Sequence, residues 1–138
     1  MRTIKYIAIH CTATPQTTTI ESIKNYWKNK LGWKNPGYHF IIKPDGSTVE
    51  LLSVDKVSNG VAGFNSVTIN ISYIGGVDAN NKPLDNRTDA QKQSLITLIK
   101  RYKEMFPNAI VQGHRDFPNV KKACPSFDAK KEYKSIYF

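Results

Sequence analysis

Long apolar runs are missing from this chain. The longest, such as Phe40-Ile41-Ile42, fall far short of a bilayer's width, so no membrane span is expected. Internal repeats and low-complexity tracts are missing too, which argues against repeat and disordered classes. Arginine is scarce: Arg2, Arg87, Arg101 and Arg115 are its only occurrences, and lysine supplies the remaining positive charge. Interfaces that read bases favour the arginine fork, and no recognised nucleic-acid motif is present. Sequence-specific nucleic-acid binding is therefore not expected. No obvious pair of carboxylates suits glycoside hydrolysis. Two cysteines allow one disulfide at most, and there are only three histidines.

What is present fits one globular domain over residues 1–138, with 40% hydrophobic and 11% aromatic residues. Twenty Lys and Arg against 11 Asp and Glu leave a net charge of +9, which favours anionic partners such as the acidic polymers of a cell envelope. The N-terminal "MRTIKYIAIHCTATPQ" begins basic, but its apolar stretch is short and alternating. It reads as a first strand and not as a signal peptide, so a product made in the cytoplasm would need another factor to release it.

Alternation marks 4–10 as a strand ending at His10. Residues 18–32 read as a helix: Thr18 and Glu21 stand at capping-box spacing, Ile20, Ile23, Trp27 and Leu31 form a stripe, and Gly32 can end it. Residues 37–51 read as two strands joined at Pro44-Asp45-Gly46, and 67–77 as a β-branched central strand. A second helix is expected over 88–106, capped by Thr88 and Gln91, with Leu95, Leu98, Ile99, Tyr102 and Phe106 buried and Pro107 as its stop. A short strand over 109–114 ends at His114, and 127–138 reads as a short terminal helix or tail. Strands interleaved with helices predict an α/β fold, a single domain with a central mixed β-sheet flanked by helices.

The stretch "GHRDFPNVKKACPSFD" (113–128) holds His114 and Cys124 on a Pro-bounded loop. Both His10 and His114 end predicted strands, where sites form in α/β sheets. Two imidazoles and a thiolate suit zinc and leave a fourth position for water. Spacing alone leaves a metal site, a catalytic pair and coincidence all open. Cys11 follows His10 on an extended strand, so its side chain points to the other face as a small buried hydrophobe. His39 faces the core by the same logic, and Asp116 suits either a ligand imidazole or a salt bridge with Arg115. Lys121 reads as a solvated charge, and Trp33 is the aromatic best placed for exposure.

The motifs "IAIHCTATP", "GYHFIIKPDG", "YIGGVD" and "GHRDFPNVKKACPSFD" together resemble the zinc-dependent N-acetylmuramoyl-L-alanine amidases of the phage T7 lysozyme type, whose eukaryotic relatives are the peptidoglycan recognition proteins. The likeness runs from residue 4 to about 128. It implies one Zn2+ per chain on His10, His114 and Cys124 at the edge of the sheet, with Tyr38 and Lys122 acting on the substrate. Lysine and tyrosine donors can stabilise the oxyanion of amide hydrolysis. The chain departs from the pattern where some relatives carry a glutamate on the central strand; Ser72 is the counterpart here. It departs again at 58–65, where many relatives have a groove histidine and Asn59 is the expected substitute. The implied function is hydrolysis of the amide between N-acetylmuramic acid and L-alanine in bacterial peptidoglycan, by an endolysin-like monomer. The alternatives are a non-catalytic peptidoglycan-binding protein and a zinc peptidase cutting within the stem peptide.

Overall fold

The computed structural model describes residues 2–137. Five strands, β1 (Tyr6–Cys11), β2 (Phe40–Ile42), β3 (Thr48–Glu50), β4 (Thr68–Tyr73) and β5 (Ile110–Gly113), form one sheet in the order β3-β2-β4-β1-β5. β1 pairs in parallel with β4 and β5, β2 pairs in parallel with β4, and β3 closes the edge antiparallel to β2. β4 occupies the middle, as its β-branched composition predicts. The hairpin turns where Gly46, at φ +89°, takes a backbone conformation that side chains disfavour.

Helix α2 (Asp89–Met105) covers one face of the sheet. Its capping box is complete: Thr88 Oγ1 accepts from the Gln91 N–H, and Gln91 Oε1 accepts from the Thr88 N–H. Leu95, Leu98, Ile99 and Tyr102 pack from it onto Ile7, Ile9, Ile69, Ile71 and Tyr73. Fully burying each such aliphatic side chain is worth roughly 1.5–3 kcal/mol, so this layer dominates the core.

The other face is covered by α1 (Ile20–Asn25) and the π-helical turn Tyr26–Lys30 that continues it. The helix starts later than its sequence suggests. Thr19 is the cap, its Oγ1 accepting from the Ser22 N–H, so no Thr18–Glu21 box forms. The π turn, closed by Leu31 N–H donating to the Tyr26 carbonyl, takes one residue more than an α-turn. Ile23 and Trp27 keep the buried stripe, but Leu31 is swung out to 41% exposure. The C-terminal segment forms α3 (Ala129–Glu132) and a 3-10 turn over Lys134–Tyr137. Phe138 of the expected terminal helix lies outside the described residues. Among the described residues, no helix is long and apolar enough to cross a membrane.

Candidate metal centre

Four strands run in one direction, so their carboxyl ends share one edge of the sheet, the place where α/β folds collect functional groups. His10 lies near the end of β1, and His114 opens a 3-10 turn straight after β5. The loop beyond returns Cys124 to the same place, held by a 2.9 Å bond from the Arg115 N–H to the Cys124 carbonyl. The potential ligand atoms of His10, His114 and Cys124 all lie within 4.8 Å of one another. Cys124 Sγ is 3.8 Å from His10 Nδ1. Ligands of a tetrahedral zinc, at about 2.0–2.1 Å for nitrogen and about 2.3 Å for sulfur, stand roughly 3.3–3.6 Å apart. The Cys124–His10 pair needs a contraction of a few tenths of an ångström and the widest pair up to about an ångström, within reach of side-chain rotation, and both cysteines are free thiols. Donor chemistry and spacing thus fit zinc.

Burial is the first reason that His10 loses basicity, its pKa falling to about 3, with the neighbouring His114 next. His114 is lowered by burial and then by the Lys122 charge. Both imidazoles are therefore neutral and able to donate lone pairs to a cation. Cys124 is pushed well up by its hydrogen bond with Cys11 and by burial. The thiol thus keeps its proton until a cation displaces it.

Tyr38 lies just before β2 and not within it, since the strand starts at Phe40. Its ring centroid is 5.1 Å from that of His10 and meets Trp27 edge-on at 5.3 Å. Its hydroxyl donates to the Cys11 carbonyl at 3.3 Å, and burial raises its pKa, so it serves as a hydrogen-bond donor. Lys122 and Asn59 line the same groove of about 680 Å³, whose apolar wall includes Trp27, Trp33 and Tyr26. Side chains expected to act together therefore meet in one cleft.

Other expectations sort by contact. Cys11 is buried in the main core and is not one of the three clustered ligand residues. Asp116 makes neither expected contact: its Oδ2 accepts from the Gly113 N–H and caps the turn after β5. Asn59 donates its amide to the Asn35 carbonyl. Ser72 stands beside His10 in register, and its hydroxyl donates to the Tyr73 carbonyl at 3.4 Å. Asn70 was not singled out by sequence reasoning, although its Oδ1 lies 2.8 Å from His10 Nε2. The available signal was the alternation of Thr68, Asn70 and Ser72 with Ile69, Ile71 and Tyr73, polar residues at every second place of a fully buried strand.

A family model described as N-acetylmuramoyl-L-alanine amidase matches residues 1–127. The endolysin of Klebsiella phage KP32 is 38% identical over 127 residues, covering 91% of this chain and 82% of its own. The endolysin of Escherichia phage T7 is 35% identical over 127 residues, covering 91% and 82%. The solved endolysin of Thermus scotoductus bacteriophage Ph2119 superposes with a TM-score of 0.81 at 22% identity, covering 99% of this chain and 86% of that one. At that identity it speaks for the fold.

Proposed function

The chain belongs to the N-acetylmuramoyl-L-alanine amidase family, and from that premise we propose that its amide hydrolysis depends on zinc held by His10, His114 and Cys124. It is an enzyme of cell-wall lysis that hydrolyses the bond between N-acetylmuramic acid and L-alanine in peptidoglycan. The observation that carries the site assignment is the convergence of three neutral-to-anionic ligands with Tyr38 and Lys122 in one groove. Zinc held there supplies Lewis-acid polarisation of the scissile carbonyl and acidification of water.

The chain's own residues do the rest. The Lys122 ammonium and the Tyr38 hydroxyl donate hydrogen bonds to the carbonyl oxygen as negative charge develops on it. Trp27 packs edge-on against Tyr38 and limits where that hydroxyl can swing. The aromatic wall of the groove displaces water from one side of the substrate. The reading takes a monomer as the acting unit and peptidoglycan as the partner.

Mass spectrometry of peptidoglycan digested by zinc-loaded protein tests it. Free stem peptides beginning at L-alanine, with intact sugar strands, are expected, and a strong chelator should abolish them. Fragments beginning at a later stem residue would make the chain an endopeptidase with the same site. Digestion that survives complete metal removal would sink the zinc assignment.

A further inference from the structure

A fully buried strand with three polar side chains on one face has to account for each of them. Asn70 and Ser58 lie wholly inside, as does His39, and every buried polar side-chain atom among the described residues has a partner. The directions of their hydrogen bonds can be worked out from one fixed point. The Asn70 backbone N–H points at His39 Nδ1 at 3.0 Å, and an N–H can only donate. Nδ1 of His39 is therefore bare, and its ring proton sits on Nε2, which donates to the Lys56 carbonyl at 2.7 Å. Burial keeps this ring neutral, with a pKa near 4.

The Ser58 hydroxyl lies 3.1 Å from the same Nδ1, whose single lone pair already takes the Asn70 N–H. The Ser58 oxygen accepts from the Asn70 side chain at 2.7 Å, so the amide nitrogen faces Ser58. With the nitrogen placed, Asn70 Oδ1 faces His10 Nε2 at 2.8 Å and can be satisfied only by a proton there. A neutral imidazole has one such proton, so Nδ1, the nitrogen beside Cys124, is left bare. Gly60 closes the arrangement from outside: a Cβ at that position would come within 2.3 Å of the Asn70 amide.

We propose that Asn70, aligned by Ser58 and His39, is a positioning residue that holds His10 in the tautomer able to offer Nδ1 to zinc. This rests on His10 being a ligand, and it adds what selects the nitrogen. Groups that orient a ligand imidazole in this way typically change metal affinity by about 10–100-fold when removed. The chain uses a neutral amide for the task. The amide nitrogen of Asn70 donates to Ser58 Oγ and its backbone N–H to His39 Nδ1, which together anchor the residue from the side away from His10.

Long-range proton–nitrogen NMR on the full chain with labelled histidine, before and after zinc addition, reads the tautomer directly, and chelator competition reads affinity. Wild-type protein without metal should already carry the His10 proton on Nε2. Asn70→Ala should show both tautomers and bind zinc roughly 10–100-fold more weakly. Asn70→Asp keeps an acceptor toward Nε2, and Ser58 can turn its proton to the carboxylate while His39 Nδ1 keeps the backbone N–H. That variant should restore the single tautomer and most of the affinity. A metal-free wild-type ring protonated on Nδ1 overturns the proposal, and that measurement needs no variant to fold. So does an Asn70→Ala chain with unchanged tautomer and affinity, or an Asn70→Asp chain no better than Asn70→Ala. Wild-type protein that binds no zinc would instead remove the ligand assignment beneath it.

Discussion

Cys124 and Lys122 stand two residues apart on one loop, yet their chemistry separates them. A thiolate holds a cation; an ammonium repels one and stabilises an oxyanion. Cys124→Ser should therefore lose zinc, because a neutral hydroxyl is a poor substitute for a thiolate. Lys122→Ala should keep zinc and lose about 10²–10³ in rate, the usual cost of one oxyanion donor. Metal analysis beside single-turnover rates on both variants checks this, and equal zinc loss in the two would show the division of roles to be wrong. Proton competition follows from the same residues. The imidazoles are neutral before metal arrives, so the proton that zinc must displace is the one on Cys124. Affinity should thus rise by about tenfold per pH unit between about pH 6 and 8, where one thiol proton is released per ion bound. A flat titration would mean that the thiol is not a ligand.

At the scale of elements, the C-terminal segment buries Phe127, Ala129 and Tyr133 in the main core, and Arg87 ties it to the loop before α2. Arg87, on the loop before α2, forms salt bridges to Asp85 at 2.8 Å and to Glu132 of α3 at 2.7 Å. It also donates to the Tyr133 hydroxyl and stacks 3.4 Å over the Phe127 ring. Both carboxylates are partly exposed and would rehydrate if Arg87 were lost, so Arg87→Ala should cost about 2 kcal/mol, less than breaking a sealed ion pair. Denaturant unfolding would show it. The hydrogen bond from Arg87 holds the Asp85 carboxyl below the usual carboxylate range. For a depressed carboxyl, the stabilisation is complete above the unfolded value of about 4 and is lost as pH falls through the lower folded value. The variant should therefore lose less stability than the parent between about pH 4 and pH 2.

Elements with strong local signals were legible in the sequence. The Thr88–Gln91 box, the Leu95–Leu98–Ile99–Tyr102 stripe and the Pro107 stop define α2 almost to the residue, while Phe106, expected to be buried with the stripe, is the half-buried C-cap. The 18–32 helix was legible in kind but not in detail. Whether Thr18 or Thr19 caps it, and whether its last turn widens, depends on how Trp27 packs against the sheet. The clustering of His10, His114 and Cys124 was legible through strand ends and motif resemblance. Asn70 was not, because one polar residue in a β-branched run has meaning only when β1 is laid beside β4 and the loop carrying Ser58 is folded over it.

For the whole molecule, the net charge of +9 bears on how the enzyme finds its substrate. A cell wall presents a fixed anionic surface, and a cationic protein is drawn to it before any specific contact forms. The attraction reaches about a Debye length, roughly 10 Å at 0.1 M ionic strength and 3 Å at 1 M. Catalysis in the groove works at contact distance, with ligand residues and Tyr38 largely sheltered from the bulk, so added salt should act on arrival and much less on turnover. Lysis of whole walls should fall as sodium chloride rises from about 0.05 to 0.5 M, while hydrolysis of a small soluble muropeptide near saturation stays nearly constant. Turbidity decay on walls and chromatography of the soluble product, run across the same salt series, separate the two. If both rates fall together, salt is acting on the site itself and long-range steering is not what the surplus lysines provide.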